Sequence, residues 1–69
     1  MNVTEQMNQA LQARSGLERA IITLARIWTR NNEQEAAEAI YSCVLALDST
    51  NALLKDLDSK RTNPGTIDE

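Results

Sequence analysis

The chain has 69 residues, so it forms one domain at most, and a domain of this size is only marginally stable without help from disulfides, metals or oligomerisation. Its single cysteine, Cys43, excludes an internal disulfide, and the absence of histidine argues against a His or Cys metal site, which leaves oligomerisation. The net charge of −3 argues against non-specific nucleic-acid binding, which depends on neutralising phosphates.

Composition and hydropathy favour an all-α protein. Alanine, leucine, glutamate, glutamine and arginine, which are good helix formers, dominate, whereas there are two glycines, one proline, one Trp, one Tyr and no Phe. The N-terminal stretch lacks a basic segment followed by an apolar one, and nowhere do eighteen apolar residues run together. We therefore expect a soluble, cytoplasmic protein.

The first helix is predicted over residues 4–30. Thr4 is an acceptable N-cap, and Glu5 suits the positive end of the helix dipole. Ser15 and Glu18 have the spacing of a capping box and Gly16 weakens a helix, so a break at Ser15-Gly16 is an alternative. A continuous helix is favoured because the apolar seam keeps its register across this point. The seam alternates spacings of four and three: Val3, Met7, Ala10, Arg14, Leu17, Ile21, Leu24 and Trp28.

The second helix is predicted over residues 33–58. Asn31-Asn32 ends the first helix, and Asn32 with Glu35 repeats the capping-box spacing. Such a short connection makes the two helices antiparallel neighbours, so residues 1–58 form a helical hairpin. Residues 59–69 are polar, contain a Pro-Gly turn signal and are predicted to form a flexible tail. The seam of the second helix is Ala37, Ile40, Val44, Leu47, Asn51 and Leu54.

One hairpin covers only one side of each seam and would leave Ile22, Tyr41 and Leu45 in water. Two hairpins pairing as a four-helix bundle would cover both sides, which predicts a homodimer. Asn51 either fixes the register or is exposed near a bend, and Cys43 is read as a small buried hydrophobe rather than a reactive or intermolecular thiol. The predicted core and dimer residues are Leu17, Ile21, Leu24, Trp28, Ile40, Cys43, Val44, Leu47 and Leu54.

Nothing in the sequence predicts catalysis, a cofactor or a metal. There is no Gly-rich phosphate loop, and without histidine there is no Ser-His or Cys-His arrangement. Glu33, Glu35 and Glu38 are interpreted as a solvated patch that complements the dipole of the second helix, rather than as a catalytic carboxylate pair. We therefore expect a non-enzymatic protein.

Arginine is unevenly distributed, and this pattern indicates a protein-binding surface. Arg19, Arg26 and Arg30 lie on one side of the first helix beside Ile22, and arginine is enriched in protein interfaces. An ordinary solvated face is the alternative. Tyr41 and Leu45 form a second candidate surface, unless they pack in the dimer. The predicted partner-binding residues are therefore Arg19, Ile22, Arg26, Arg30, Tyr41 and Leu45.

The two seams, the Asn31-Asn32 turn and the polar tail together resemble small helical-hairpin dimers of mobile elements, over residues 4–58. One type is the plasmid copy-number regulators, which bind paired RNA loops. The other is the small accessory proteins of temperate Pseudomonas phages of the anti-quorum-sensing kind, which inhibit a LuxR-type transcription activator and a pilus-assembly ATPase by direct binding.

The phage type is favoured, because the exposed face of the first helix has arginines, Thr23 and Ile22 but no aromatic for stacking on RNA. The resemblance implies a stoichiometric inhibitor or adaptor in the cytoplasm of a bacterial host, with a transcription regulator or ATPase as its partner. The alternatives are an RNA-binding regulator and a structural subunit of a larger assembly.

Overall fold

The computed structural model describes residues 2–62, which form two helices, α1 (Val3–Asn31) and α2 (Gln34–Thr62). The two-residue connection reverses the chain direction, so the helices lie side by side along their length. No strand occurs among these residues. The predicted all-α helical hairpin is confirmed. Neither α1 nor α2 has a stretch both long and apolar enough to cross a bilayer.

Helix α1 begins with a capping box at Asn2, so the predicted N-cap at Thr4 is wrong. The Glu5 backbone N–H donates to Asn2 Oδ1 at 2.8 Å, and the Asn2 N–H donates to Glu5 Oε1 at 3.2 Å. This reciprocal pair satisfies two backbone donors at the helix start. Asn2 stands three residues before a glutamate, as the motif requires, whereas the third residue after Thr4 is Met7.

Helix α1 continues through Ser15 and Gly16, which confirms the favoured prediction of an unbroken helix. An added Cβ at Gly16 would meet nothing within 4 Å, so the glycine lies on an open part of the surface. The helix therefore tolerates this residue because its hydrogen bonds continue on both sides.

Asn32 forms the turn between the helices. It adopts the left-handed conformation (φ 53°, ψ 42°), and its N–H donates to the Trp28 carbonyl at 2.7 Å, which ends α1. The Glu33 carbonyl then accepts from the N–H groups of Ala36 and Ala37. Asn32 therefore caps α1 rather than α2, and Glu33 occupies the position before α2 that the sequence assigned to Asn32.

Helix α2 extends to Thr62 rather than ending at Asp58. Its last turns contain two ion pairs, Lys60 Nζ to Asp56 at 3.2 Å and Arg61 Nη2 to Asp58 at 2.9 Å. Such pairs and basic residues at a helix C-terminus stabilise the final turn. Residues 59–62 are thus helical. The rest of the predicted tail, residues 63–69, lies outside the described residues.

The contact between α1 and α2 fully buries few side chains, because two helices cover only one side of each other. The buried residues are Ala10, Ala36, Leu54 and Leu57. Of the predicted core, Leu54 is buried, whereas Trp28 and Val44 are 44% and 38% exposed in the single chain. The remaining predicted core residues are half-buried: Leu17, Ile21, Leu24, Ile40, Cys43 and Leu47.

Candidate functional site

Arg14 and Asn51, the polar interruptions of the two seams, contact each other across the hairpin. Arg14 Nη1 donates to Asn51 Oδ1 at 3.4 Å. Arg14 stands eighteen residues before Asn32, and Asn51 stands eighteen residues after Glu33, so they lie at the same height above the turn. Sequence reasoning proposed a register role for Asn51 but missed its partner. Equal distance from the predicted turn was the signal for the pair.

This contact establishes which sides of the two helices share a face of the hairpin. Successive helical residues are about 100° apart, so each side chain can be placed relative to the line of contact between the helices. The side marked by Arg14 and Asn51 is called the Tyr41 face, and near the turn it comprises Ile22, Ala25, Ile40, Tyr41 and Val44. The opposite side is called the Ala20 face and comprises Ala13, Gly16, Ala20, Ile27, Ala46 and Leu53.

The Tyr41 face has a large apolar patch near the turn. Ile22 of α1 is 55% exposed and Tyr41 of α2 is 66% exposed, so both keep most of their surface in water. Farther from the turn the same face carries charged Glu18, Asp48 and Lys55. The most exposed apolar side chains of the face thus lie near the turn, whereas Leu11, which is 40% exposed, lies toward its open end.

Leu45 lies apart from Ile22. It is half exposed, and its position one turn after Tyr41 points it away from α1, toward the outer side of α2. The structure thus brings Ile22 and Tyr41 to one face, with Leu45 at the outer margin of that face.

The arginines lie on the outer side of α1, opposite its contact with α2. Arg19, Arg26 and Arg30 are all exposed. The two ion pairs in the described part of the chain both lie within α2, so none of these guanidinium groups pairs with a carboxylate there. Arg26 is one turn after Ile22 and is therefore its neighbour on the helix surface.

The Ala20 face was missed by sequence reasoning. A shallow open groove runs along it, lined by Gly16, Arg19, Ala20, Thr23 and Leu24. The signal in the sequence was a second series of mostly small or apolar residues in each helix, at alternating spacings of four and three. It reads Ala13, Leu17, Ala20, Leu24 and Ile27 in α1, and Ala39, Cys43, Ala46, Thr50, Leu53 and Leu57 in α2.

The only thiol, Cys43, is free and half-buried beside the α1 contact. Among the described residues, no three His, Cys, Asp or Glu side chains are grouped to hold a metal. This hairpin thus presents two faces of different chemistry to other molecules. The Tyr41 face is apolar near the turn with charges beyond it, and the Ala20 face has only Arg19 as a charge along its middle.

Comparisons with known proteins find no family model, no curated protein and no solved structure that matches this chain. The resemblance to helical-hairpin phage proteins therefore stays a prediction.

Proposed function

We propose that this protein is a small, non-enzymatic, dimeric adaptor or inhibitor that binds the acidic surface of another protein and blocks it stoichiometrically. The observation that supports it most is the exposure of Ile22 and Tyr41 on one face, with the unpaired Arg26 beside them. The contact residues are Arg19, Ile22, Arg26, Arg30, Tyr41 and Leu45.

The apolar part of this surface would supply most of the binding energy. Covering the exposed part of Ile22 or Tyr41 removes apolar area from water, which contributes roughly 25 cal/mol for each Å² of apolar surface. Tyr and Arg are also the residues most enriched among those that dominate interfaces. A lone hairpin gains nothing from leaving these side chains in water.

The arginines would select the partner. A guanidinium group binds a carboxylate through two parallel hydrogen bonds and packs its flat face on apolar groups, which lysine cannot do. Arg26 next to Ile22 therefore favours a partner surface with Asp or Glu around an apolar pocket. Following the phage resemblance, we propose a bacterial cytoplasmic partner, either a LuxR-type transcription activator or a pilus-assembly ATPase.

The dimer is part of the same proposal. Most of the predicted core is only half-buried in the single hairpin, and Trp28 is 44% exposed. A second hairpin would cover part of this apolar surface and supply the stability that a 69-residue chain lacks on its own.

Affinity capture from a bacterial lysate tests the protein-binding site. An Arg26→Glu, Tyr41→Ala variant should lose the proteins that the wild-type chain retains, because it reverses a charge and removes the largest exposed side chain of the patch. The matched control, Lys55→Glu with Leu11→Ala, makes the same types of change away from the patch and should retain them.

Recovery of the same proteins by the Arg26→Glu, Tyr41→Ala variant would reject this site. Ribonuclease treatment gives a second reading of the experiment. If the treatment abolishes capture, the protein binds RNA, and the alternative of an RNA-binding regulator replaces the proposal.

A further inference from the structure

We infer that the Ala20 face is covered by a second copy of this chain, related by a two-fold axis. The inference rests on the proposed dimer and identifies the surface that forms it. It also leaves the Tyr41 face free for the other protein.

The middle of the Ala20 face carries one charge, Arg19, at the edge of its groove. From Ala13 to Ile27 on α1 and from Ala46 to Leu53 on α2, its members are alanine, glycine, isoleucine and leucine, although most of them are exposed. Ile27 and Leu53 keep 39% and 48% of their surface in water. Exposed positions often carry charged residues, so a long face with a single charge indicates contact with another chain.

Gly16 adds an independent reason. A glycine inside a helix costs about 0.5–1 kcal/mol relative to alanine. Its φ is not positive, and nothing within the chain lies within 4 Å of an added Cβ. The hairpin itself therefore does not need a glycine here, whereas close approach of a second helix to the groove at Gly16 and Ala20 would.

The size of the face matches a dimer interface. Each helix has 29 residues and is about 43 Å long. Two helices spaced about 9 Å apart present a width of about 18 Å. Covering both helices along their whole length therefore corresponds to a rectangle of roughly 770 Å², close to the area of about 800 Å² that each partner contributes to a stable interface.

The charges at the ends of this face are self-complementary. Glu5 and Lys60 lie at its open end, and Glu35 lies at its turn end. Its outer margins carry Arg30 and Glu38 near the turn and Asp56, which pairs with Lys60, near the open end. If the second copy lies in the opposite direction, each helix stacks on its own equivalent, and Glu35 meets Lys60 of the partner subunit. If it lies in the same direction, α1 stacks on the partner's α2, and Glu5 meets Lys60 of the partner subunit. Both two-fold arrangements therefore bring opposite charges together.

On the Tyr41 face, by contrast, a two-fold axis would bring like charges together. Glu18 and Asp48 lie near the middle of α1 and α2, close to where a central two-fold axis would pass. Either arrangement would then place each carboxylate against a carboxylate of the second copy. Because like charges across an interface are destabilising, this face is the poorer choice for a dimer.

Adjacent residues of α2 provide the test. Ala46→Glu introduces a carboxylate near the centre of the Ala20 face, where it would meet its equivalent in the second copy. Because Ala46 is exposed in the single chain, the substitution does not disturb the hairpin. Leu45→Glu makes the same change in charge about 100° away, on the outer side of α2. Ala20→Glu and Ile22→Glu form a second such pair on α1.

Light scattering measures the mass of each full-length variant, and circular dichroism measures its helical content. We expect wild type, Leu45→Glu and Ile22→Glu to be dimers, and Ala46→Glu and Ala20→Glu to be helical with a dissociation constant raised at least a hundredfold. Dimeric Ala46→Glu and Ala20→Glu variants, or dissociation by the Leu45 and Ile22 variants instead, would overturn the assignment of the face while leaving the proposed dimer intact. A wild-type chain that is a monomer would reject both the proposed dimer and the assignment of the Ala20 face to it.

Discussion

Leu57 and Leu45 are leucines of the same helix with opposite environments. Leu57 is 2% exposed at the contact with α1, whereas Leu45 is half exposed on the outer side of α2. Truncating a buried leucine loses its transfer energy and leaves a cavity. We expect Leu57→Ala to lower the free energy of unfolding by about 2–4 kcal/mol and Leu45→Ala to change it by less than about 0.5 kcal/mol.

Urea unfolding followed by circular dichroism, at one protein concentration, checks this prediction. A helical content lower in Leu57→Ala than in wild type before any urea is added would agree with it. Equal midpoints for Leu57→Ala and Leu45→Ala would contradict the packing described for α2.

At the scale of single residues, the sequence predicted exposure better than burial. It placed Ile22, Tyr41 and Leu45 in water, because they lie off both seams, and the structure agrees. It noted that Leu57 returns in phase with the α2 seam but did not place Leu57 in the core, since the seams were read as straight lines. The α2 contact line drifts along the helix, and near the C-terminus it reaches Leu54 and Leu57 together.

The turn is the feature that joins the two elements, and its two asparagines have different roles. Asn32 adopts the left-handed conformation, whereas Asn31 is the last residue of α1. A side chain with Cβ is disfavoured in that conformation by roughly 1–2 kcal/mol, and Asn and Gly tolerate it best. We expect Asn32→Ala to lower the free energy of unfolding by about 1 kcal/mol, while Asn32→Gly and the control Asn31→Ala stay near wild type.

Thermal unfolding of wild type and the three variants at equal concentration measures these differences in stability. If Asn31→Ala were as destabilising as Asn32→Ala, the left-handed position would not be what fixes the turn.

At the scale of elements, helix type and order could be predicted from the sequence, but the ends could not. Periodicity identified both helices, and the Asn31-Asn32 pair located the turn. The start of α1 was missed because Thr4 was preferred to Asn2 as the cap, although Asn2 and Glu5 have capping-box spacing. The end of α2 was missed because its last turn depends on ion pairs with Asp56 and Asp58, which carry no apolar periodicity.

For the whole molecule, the main proposal is that the Ala20 face binds a second copy of the chain and the Tyr41 face binds another protein. The sequence alone predicted a dimer and a protein-binding surface but could not say which side served which purpose. Relating the sides of α1 to those of α2 required the contact between Arg14 and Asn51. With that relation, the Ala20 face, which has little charge along its middle, suits a second copy, and the Tyr41 face suits another protein.

Sedimentation equilibrium of the unmodified chain, over a range of concentrations, tests most directly the dimer that this proposal requires. A dimer that covers the Ala20 face should have twice the chain mass of 7.7 kDa and should dissociate only on dilution. A folded, helical chain that keeps the mass of a single copy at every concentration would contradict the proposal.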